Sequence, residues 1–411
     1  MTRPQEARRI CLTEAPGTAA TLFRQQGLGP RDLERLLSAA NREAESSRAE
    51  TVELSDAWGR PTQMTLYVPP PRADRPPGVI VGLHGVGSSG AELDAYLRPF
   101  ADACGAVLLC PTARQPITKR SNFDLAGLFG SRFRDDRWTT DPGDYPAQAL
   151  RWAREHLAID TDRCALMGSS MGGIATWSIA MRRWDSLSMA ASVNGAPSMW
   201  EMFGPDQAMR ELLPNLVNLP FAVVHGGRDQ QIPPVLDQDA VTQLRRQGHR
   251  KLSFIKVPYG EHKLSTMRLL PGTPQFDDVV RYYRSARRTS WPGRVRHHAR
   301  ESENGRAHWV AVDGIAAGAT AFVEARAVDR SRLDVRTAGC SRVRLFLSDR
   351  LVDPSRVVVT VNGSEQAVDF RPSLTDAVTT YAEAGADTGR LAHMVIDVEI
   401  PEIHEGEGTF C

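Results

Sequence analysis

The stretch from Arg163 to Trp177 constrains this chain more than any other. Cys164-Ala-Leu-Met167 is a short apolar run with strand character, and Ile174-Ala-Thr-Trp-Ser-Ile-Ala-Met181 has helix character. Between them lies Gly168-Ser169-Ser170-Met171-Gly172, a G-x-S-x-G pentapeptide. Strand, tight turn and helix in that order describe a nucleophile elbow. The backbone must turn so sharply that the central serine is strained and its hydroxyl projects outward. Residues two places either side must lack bulk, which Gly168 and Gly172 satisfy. A helix beginning near Met171 also aims its first N–H groups at the same point, where an anion is stabilised. The pentapeptide alone also describes a serine in an ordinary Gly-rich strand-to-helix turn, so its flanks carry the weight.

Composition narrows what surrounds that element. A chain of 411 residues predicts two domains. With 41% hydrophobic and 24% charged residues it is an ordinary globular composition. A net charge of +1 gives no electrostatic reason to expect nucleic acid or an acidic membrane surface as a partner. No apolar run reaches the length of a membrane span. Met1 to Ile10 carries charge with no apolar stretch behind it, so no leader is visible and a cytoplasmic location is the expectation. Cys11, Cys104, Cys110, Cys164, Cys340 and Cys411 are scattered without zinc or C-x-x-C spacing, which predicts free thiols and no metal.

Read in order, residues 1–50 form a polar segment. In it Leu33, Leu36, Leu37 and Ala40 recur at helical spacing, predicting a helix packed on the main domain. Thr51–Ser55 and Gln63–Val68 alternate like two antiparallel strands. Val79–Leu83 is an apolar strand of the buried parallel kind, followed by a helix and a second strand at Ala106–Cys110. Residues 112–145 are irregular, with Phe123, Phe129, Phe133, Trp138 and the charged run Arg132–Arg137; loops of this length are usually functional or disordered. After the elbow come strands at Met189–Val193, Leu219–His225 and Leu252–Val257, with helices between and after them. The alternation predicts an α/β domain over 51–293, a mostly parallel sheet with helices on both faces. From Trp291-Pro-Gly293 onward the apolar period becomes two, with turn signals such as Asn362-Gly363. Residues 294–411 are therefore expected to form a separate, smaller all-β sandwich.

Ligands bind such a sheet at the carboxyl ends of its strands. Four strand ends carry reactive side chains, in the order His84, Ser170, Asp229, His262. A serine hydroxyl is a poor nucleophile until an imidazole accepts its proton and a carboxylate holds that imidazole in the right tautomer. Ser170 is accordingly assigned as nucleophile, His262 as base then acid, and Asp229 as the group that orients it. Asp206, Asp237 and Asp239 are the rival carboxylates. The Met171 N–H is one expected oxyanion donor, and the Val86 N–H, with Gly87 as alternate, is the other. The His84 ring is expected only to pin its loop. Trp138 and Trp200 are the candidate substrate contacts, with Met199, Phe203 and Phe133 near them.

Four pieces together carry a resemblance: Leu83-His-Gly-Val-Gly-Ser88, Ile159 to Gly173, His225-Gly-Gly-Arg-Asp-Gln-Gln-Ile-Pro233 and Gly260-Glu-His262. Residues 78–285 resemble the α/β-hydrolase superfamily, closest to its esterase/depolymerase and prolyl-oligopeptidase-like branches. Glu261 and Lys263 flank the histidine where these branches often place Gly. The β-rich tail resembles accessory sandwiches that follow such domains. The resemblance implies a serine hydrolase without metal or organic cofactor, acting on a small-molecule or polymeric carboxylic ester. The alternatives are a prolyl-oligopeptidase-like peptidase and a non-catalytic binding module on a hydrolase scaffold. Oligomeric state is not legible.

Overall fold

A computed structural model describes residues 3–40, 46–71, 75–113, 138–353 and 356–400. Three helices open the chain: α1 (Pro4–Thr13), α2 (Pro16–Gln25) and α3 (Pro30–Ala39). The strands β1 (Arg48–Ser55), β2 (Pro61–Val68), β3 (Gly78–Leu83), β4 (Ala106–Pro111), β5 (Cys164–Ser169), β6 (Met189–Val193), β7 (Phe221–Gly226) and β8 (Leu252–Val257) form one sheet. Its order is β1-β2-β4-β3-β5-β6-β7-β8. β1 and β2 are antiparallel, β2 is antiparallel to β4, and every later pair is parallel. The chain runs outward from β3 to β4, then returns to the other side of β3 as β5. At such a reversal the loops after the two strands diverge and leave a crevice at their carboxyl ends.

The middle strands β3 to β7 are buried at every position, so both faces are covered. Period two sorts their side chains. Val79, Val81 and Leu83 face one core, and Ile80 faces the other. On the second face lie α4 (Gly90–Cys104) and, after β8, the helix Pro274–Ser285. On the first lie α5 (Tyr145–His156), α6 (Met171–Arg183) and Pro234–Arg246. With the short helix Gln207–Leu212 as α7, these become α8 (Pro234–Arg246) and α9 (Pro274–Ser285). This is the mostly parallel sheet with helices on both faces that the sequence led us to expect. Among the described residues no helix is long and apolar enough to cross a membrane.

Beyond β9 (Arg294–Ala299) the strands are β10 (Arg306–Ala307), β11 (Val310–Asp313), β12 (Ala321–Asp329), β13 (Arg332–Ala338), β14 (Arg342–Leu347), β15 (Arg356–Val361), β16 (Ser364–Asp369) and β17 (Met394–Glu399). They form two sheets, β10-β11-β14-β17 and β16-β15-β13-β12-β9. Val312, Val343 and Leu345 from one sheet and Val323, Val335 and Val359 from the other belong to one buried apolar cluster, which also takes in residues of the α/β sheet and its helices such as Leu166 and Trp177. We propose that the two sheets stack as a sandwich. The β15–β16 hairpin turns at Asn362 and Gly363, both at positive φ (47° and 87°), as the Asn-Gly pair predicts.

A helix that period two did not reveal, α10 (Leu374–Glu383), interrupts this region. Its Val and Thr content reads as strand, but Ser373 accepts the Asp376 N–H as an N-cap. Leu374, Ala377, Val378 and Tyr381 then form a helical stripe buried against α1, α2 and α3. The opening helices therefore pack on a helix of the C-terminal region. Arg8 also reaches the main sheet's layer, donating to the Glu155 and Leu157 carbonyls (3.3 and 3.5 Å). Glu34, Asp349 and His393 bring three ligand-type atoms within 4.8 Å of one another. Arg350 pairs with Glu34 and Arg31 with Asp349, so the group is an ion-paired staple between α3 and the sandwich.

The sandwich is sealed to the α/β layer by buried charge. Arg288 grips Asp387 with two guanidinium nitrogens (2.6 and 2.8 Å), and Arg154 reaches the same carboxylate at 3.1 Å. Asp185 accepts the His308 N–H (3.0 Å) and pairs with Arg390 (3.2 Å). Asn215 donates to both the Met181 and His298 carbonyls. We propose the boundary near 293 as a change of architecture rather than a break between two independent cores.

Asp387→Asn leaves two buried guanidiniums without their shared anion, and is expected to cost roughly 3–5 kcal/mol of stability. Urea denaturation reads this as a lower midpoint at unchanged slope; a cost below ~1 kcal/mol would show that the two regions do not depend on the pair. Burial alone would raise the Asp185 carboxyl, but Arg390, the His308 ring and N–H, and His297 outweigh it and hold it at about 2. A depressed folded value adds stability above the unfolded value, near 3.9, and that stability is lost as pH falls from there towards 2.

Candidate active site

Ser170 sits between β5 and α6 with φ 57° and ψ −121°, a conformation that costs a non-glycine residue energy. Packing enforces it. Its N–H donates to the Val193 carbonyl (2.9 Å) and its carbonyl accepts from Ile174 (2.9 Å). A Cβ on Gly168 would run into the Gly172 carbonyl, and one on Gly172 into the Leu83 carbonyl. The motif glycines are therefore required by the approach of α6 to the ends of β3 and β5.

Three of the side chains assigned from sequence meet. Ser170 Oγ lies 2.7 Å from His262 Nε2, and His262 Nδ1 lies 2.7 Å from Asp229 Oδ2. Asp229 Oδ1 accepts the Gln231 and Ile232 N–H groups, both at 2.9 Å. Burial pushes this carboxyl up, but hydrogen bonds from His225, His262 and the Ile232 N–H outweigh it and hold it well below the usual carboxylate range. The His262 side chain is 11% exposed and that of Asp229 is fully buried, so the imidazole opens to the cleft and the carboxylate does not. Of the rivals, Asp206 caps α7 and accepts from Ser198, Asp239 is exposed, and Asp237 meets a different histidine.

The loop after β3 closes on the same point. A side chain at Gly85 would place its first carbon 3.1 Å from Ser170 Cβ. Val86 follows directly, and Gly87 turns at φ 73°. Among the described residues, neither the Val86 nor the Met171 N–H donates to a backbone or side-chain acceptor. His84 donates from Nδ1 to the Gly85 carbonyl (2.7 Å) and accepts the Ala113 N–H at Nε2 (2.9 Å), so its ring is a neutral brace of the loop. Burial draws its pKa down in keeping with that. The Trp138 indole donates to the His84 carbonyl (3.0 Å), and its ring meets the His84 ring edge-on.

A cleft of about 1620 Å³ opens over Ser170 and His262. Trp138, Met199 and the half-exposed Trp200 line it; Phe203 is exposed and does not. Phe123, Phe129, Phe133 and Arg132–Arg137 lie outside the described residues. Arg300, Glu301, Glu303 and Asn304 also line the cleft, so the sandwich contributes a wall that period-two reading did not anticipate. A second recess of about 170 Å³ lies beside Gly168 and Ser169, among Leu93, Leu97, Phe100 and Met167.

Two supporting residues were missed in the sequence. Asn194, at φ 47°, accepts the Gly226 N–H and donates to the Glu261 carbonyl (both 2.9 Å), tying the end of β7 to the histidine loop. An asparagine at a buried strand end, followed by Gly, was the available signal. The other is His225, whose ring meets Asp237, one of the rival acids.

No family model matches the chain, and no curated protein matches it. Solved structures are similar at low identity. A thermostable esterase aligns with 18% identity and TM-score 0.41 over 58% of this chain and 63% of its own, so the chain spans under two-thirds of it. An S-formylglutathione hydrolase from Agrobacterium tumefaciens gives 16% and 0.41 over 59% and 97%. A puromycin-hydrolyzing peptidase of Mycobacterium tuberculosis gives 17% and 0.43 over 58% and 39%. Likenesses this distant do not bear on substrate or mechanism.

Proposed function

We propose that this chain is a serine hydrolase that cleaves carboxylic esters through an acyl-enzyme. The observation that carries the reading is the unbroken Ser170–His262–Asp229 hydrogen-bond chain on a strained elbow. His262 Nε2 takes the Ser170 proton as Oγ attacks the ester carbonyl, and Asp229 faces the imidazolium that results. The carbonyl oxygen becomes an oxyanion, which the Met171 N–H and the Val86 N–H receive, with the Gly87 N–H as alternate for the latter. Collapse breaks the C–O bond, and His262 returns its proton to the departing alcohol. Water, deprotonated by the same imidazole, then releases the acid and regenerates Ser170.

The apolar recess beside Gly168 supports an acyl group of short to medium length, and Trp138 and Trp200 are proposed as walls for the rest of the substrate. An amide makes a further demand, because its nitrogen must be held within reach of His262 and protonated before it leaves. We expect kcat/KM for a short acyl ester to exceed that of the matched amide by at least ~10³, about 4 kcal/mol in barrier. Comparable rates on the matched pair, both abolished by Ser170→Ala, would assign the chain to the peptidases instead.

A further inference from the structure

Behind the triad lies a second histidine and carboxylate, which the proposed reaction steps do not use. His225, at the end of β7, is wholly buried, as is Asp237 on α8. His225 Nδ1 lies 2.7 Å from Asp237 Oδ2. On its other edge Nε2 lies 3.0 Å from the Ile232 carbonyl and 3.4 Å from Asp229 Oδ2. The contacts run without a gap from Asp237 through His225, Asp229 and His262 to Ser170.

The partners restrict where protons sit. Nε2 faces two acceptors, a carbonyl and a carboxylate, so it carries hydrogen. Nδ1 faces a carboxylate with no access to water, so one proton is shared between His225 and Asp237. Two carboxylates on opposite edges favour that proton on the ring, because an imidazolium there offsets both. Burial opposes the charge and also raises the Asp237 carboxyl, but on the ring the two carboxylates outweigh it and push His225 up to about 9. Among the described residues the ionisable groups in contact with this pair are Asp229, from the β7–α8 loop, and, one step further, His262 from the loop after β8.

We propose that Asp237 holds His225 as a buried imidazolium, and that this cation positions Asp229 and keeps it ionised for His262. The inference rests on the hydrolase reading above. His225 does not touch the reacting atoms; it is a positioning residue. It acts by clamping Ile232, whose own N–H binds Asp229 Oδ1, and by setting the charge beside Asp229 Oδ2.

Asp237→Asn isolates the charge from the packing. The amide can donate to Nδ1 while Nε2–H stays on the Ile232 carbonyl, so every hydrogen bond survives with a neutral ring. The variant loses both charges of the pair, but the cation is the one that faces Asp229, so its loss dominates at the Asp229–His262 pair and favours the protonated, inactive form. The acid limb of kcat/KM for a p-nitrophenyl ester should therefore move to higher pH by at least ~0.5 unit, with the melting temperature nearly unchanged. A folded variant whose profile overlays the wild type overturns the proposal. A second measurement needs no variant. In the full chain with 15N-labelled histidine, the resonances in contact with Ile232 should show both His225 nitrogens protonated at pH 7.5. A neutral ring there overturns the proposal even if Asp237→Asn does not fold. A wild-type chain that hydrolyses no ester and takes no fluorophosphonate label would instead count against the hydrolase reading, and the nitrogen signals would still decide this one.

Discussion

Ser170→Ala is expected to lower kcat/KM on an activated ester by ~10⁵ or more while the fold persists. The loss is large because, among the described residues, Ser170 Oγ is the one hydroxyl hydrogen-bonded to His262. The Ser169 side chain belongs to β5, on the strand side of the turn. The residual rate would come from the oxyanion donors and the cleft, which the substitution leaves in place. Alanine keeps the strained φ of 57°, so the melting temperature should not rise. Ser170→Gly relaxes that strain and is expected to be stabilising by roughly 1 kcal/mol while equally inactive. Steady-state kinetics with thermal melts check both; an alanine variant retaining more than about a hundredth of wild-type turnover would remove Ser170 from the mechanism.

Asp229→Asn is expected to cost ~10⁴ in kcat with KM little changed. The surroundings dictate how the amide sits. Two backbone N–H groups, of Gln231 and Ile232, point at one oxygen position, so the amide oxygen must stay there. Its NH₂ then faces His262 Nδ1 and forces the proton to the other ring nitrogen, where it blocks acceptance from Ser170. The same NH₂ meets the His225 Nε2–H, a donor against a donor. A loss smaller than ~10-fold would mean that His262 is oriented by something else.

The site was legible in the sequence because its chemistry is local. The elbow needs Gly168 and Gly172 at fixed offsets, and Asp229 and His262 follow strands whose apolar runs are plain. Less of the surroundings was legible, for physical reasons. His225 and Asp237 become a pair only when α8 folds back on β7, a contact that no local pattern encodes. The α10 helix was hidden because its Val and Thr residues favour strands, and packing on α1–α3 overrides that preference. The charged seam of Arg288, Asp387, Asp185 and Arg390 joins residues some two hundred positions apart at its widest. The sequence offered only an ordinary scatter of charge there.

Fluorophosphonate labelling of the full chain, followed by intact mass and peptide mapping, tests the central claim most directly. The reagent captures a serine only where a base activates it and donors stabilise the oxyanion. One adduct per chain is expected, on Ser170, abolished in Ser170→Ala and strongly slowed in Asp229→Asn. An adduct on Ser169 or another serine, or a folded chain that takes no label at neutral pH, would contradict the account.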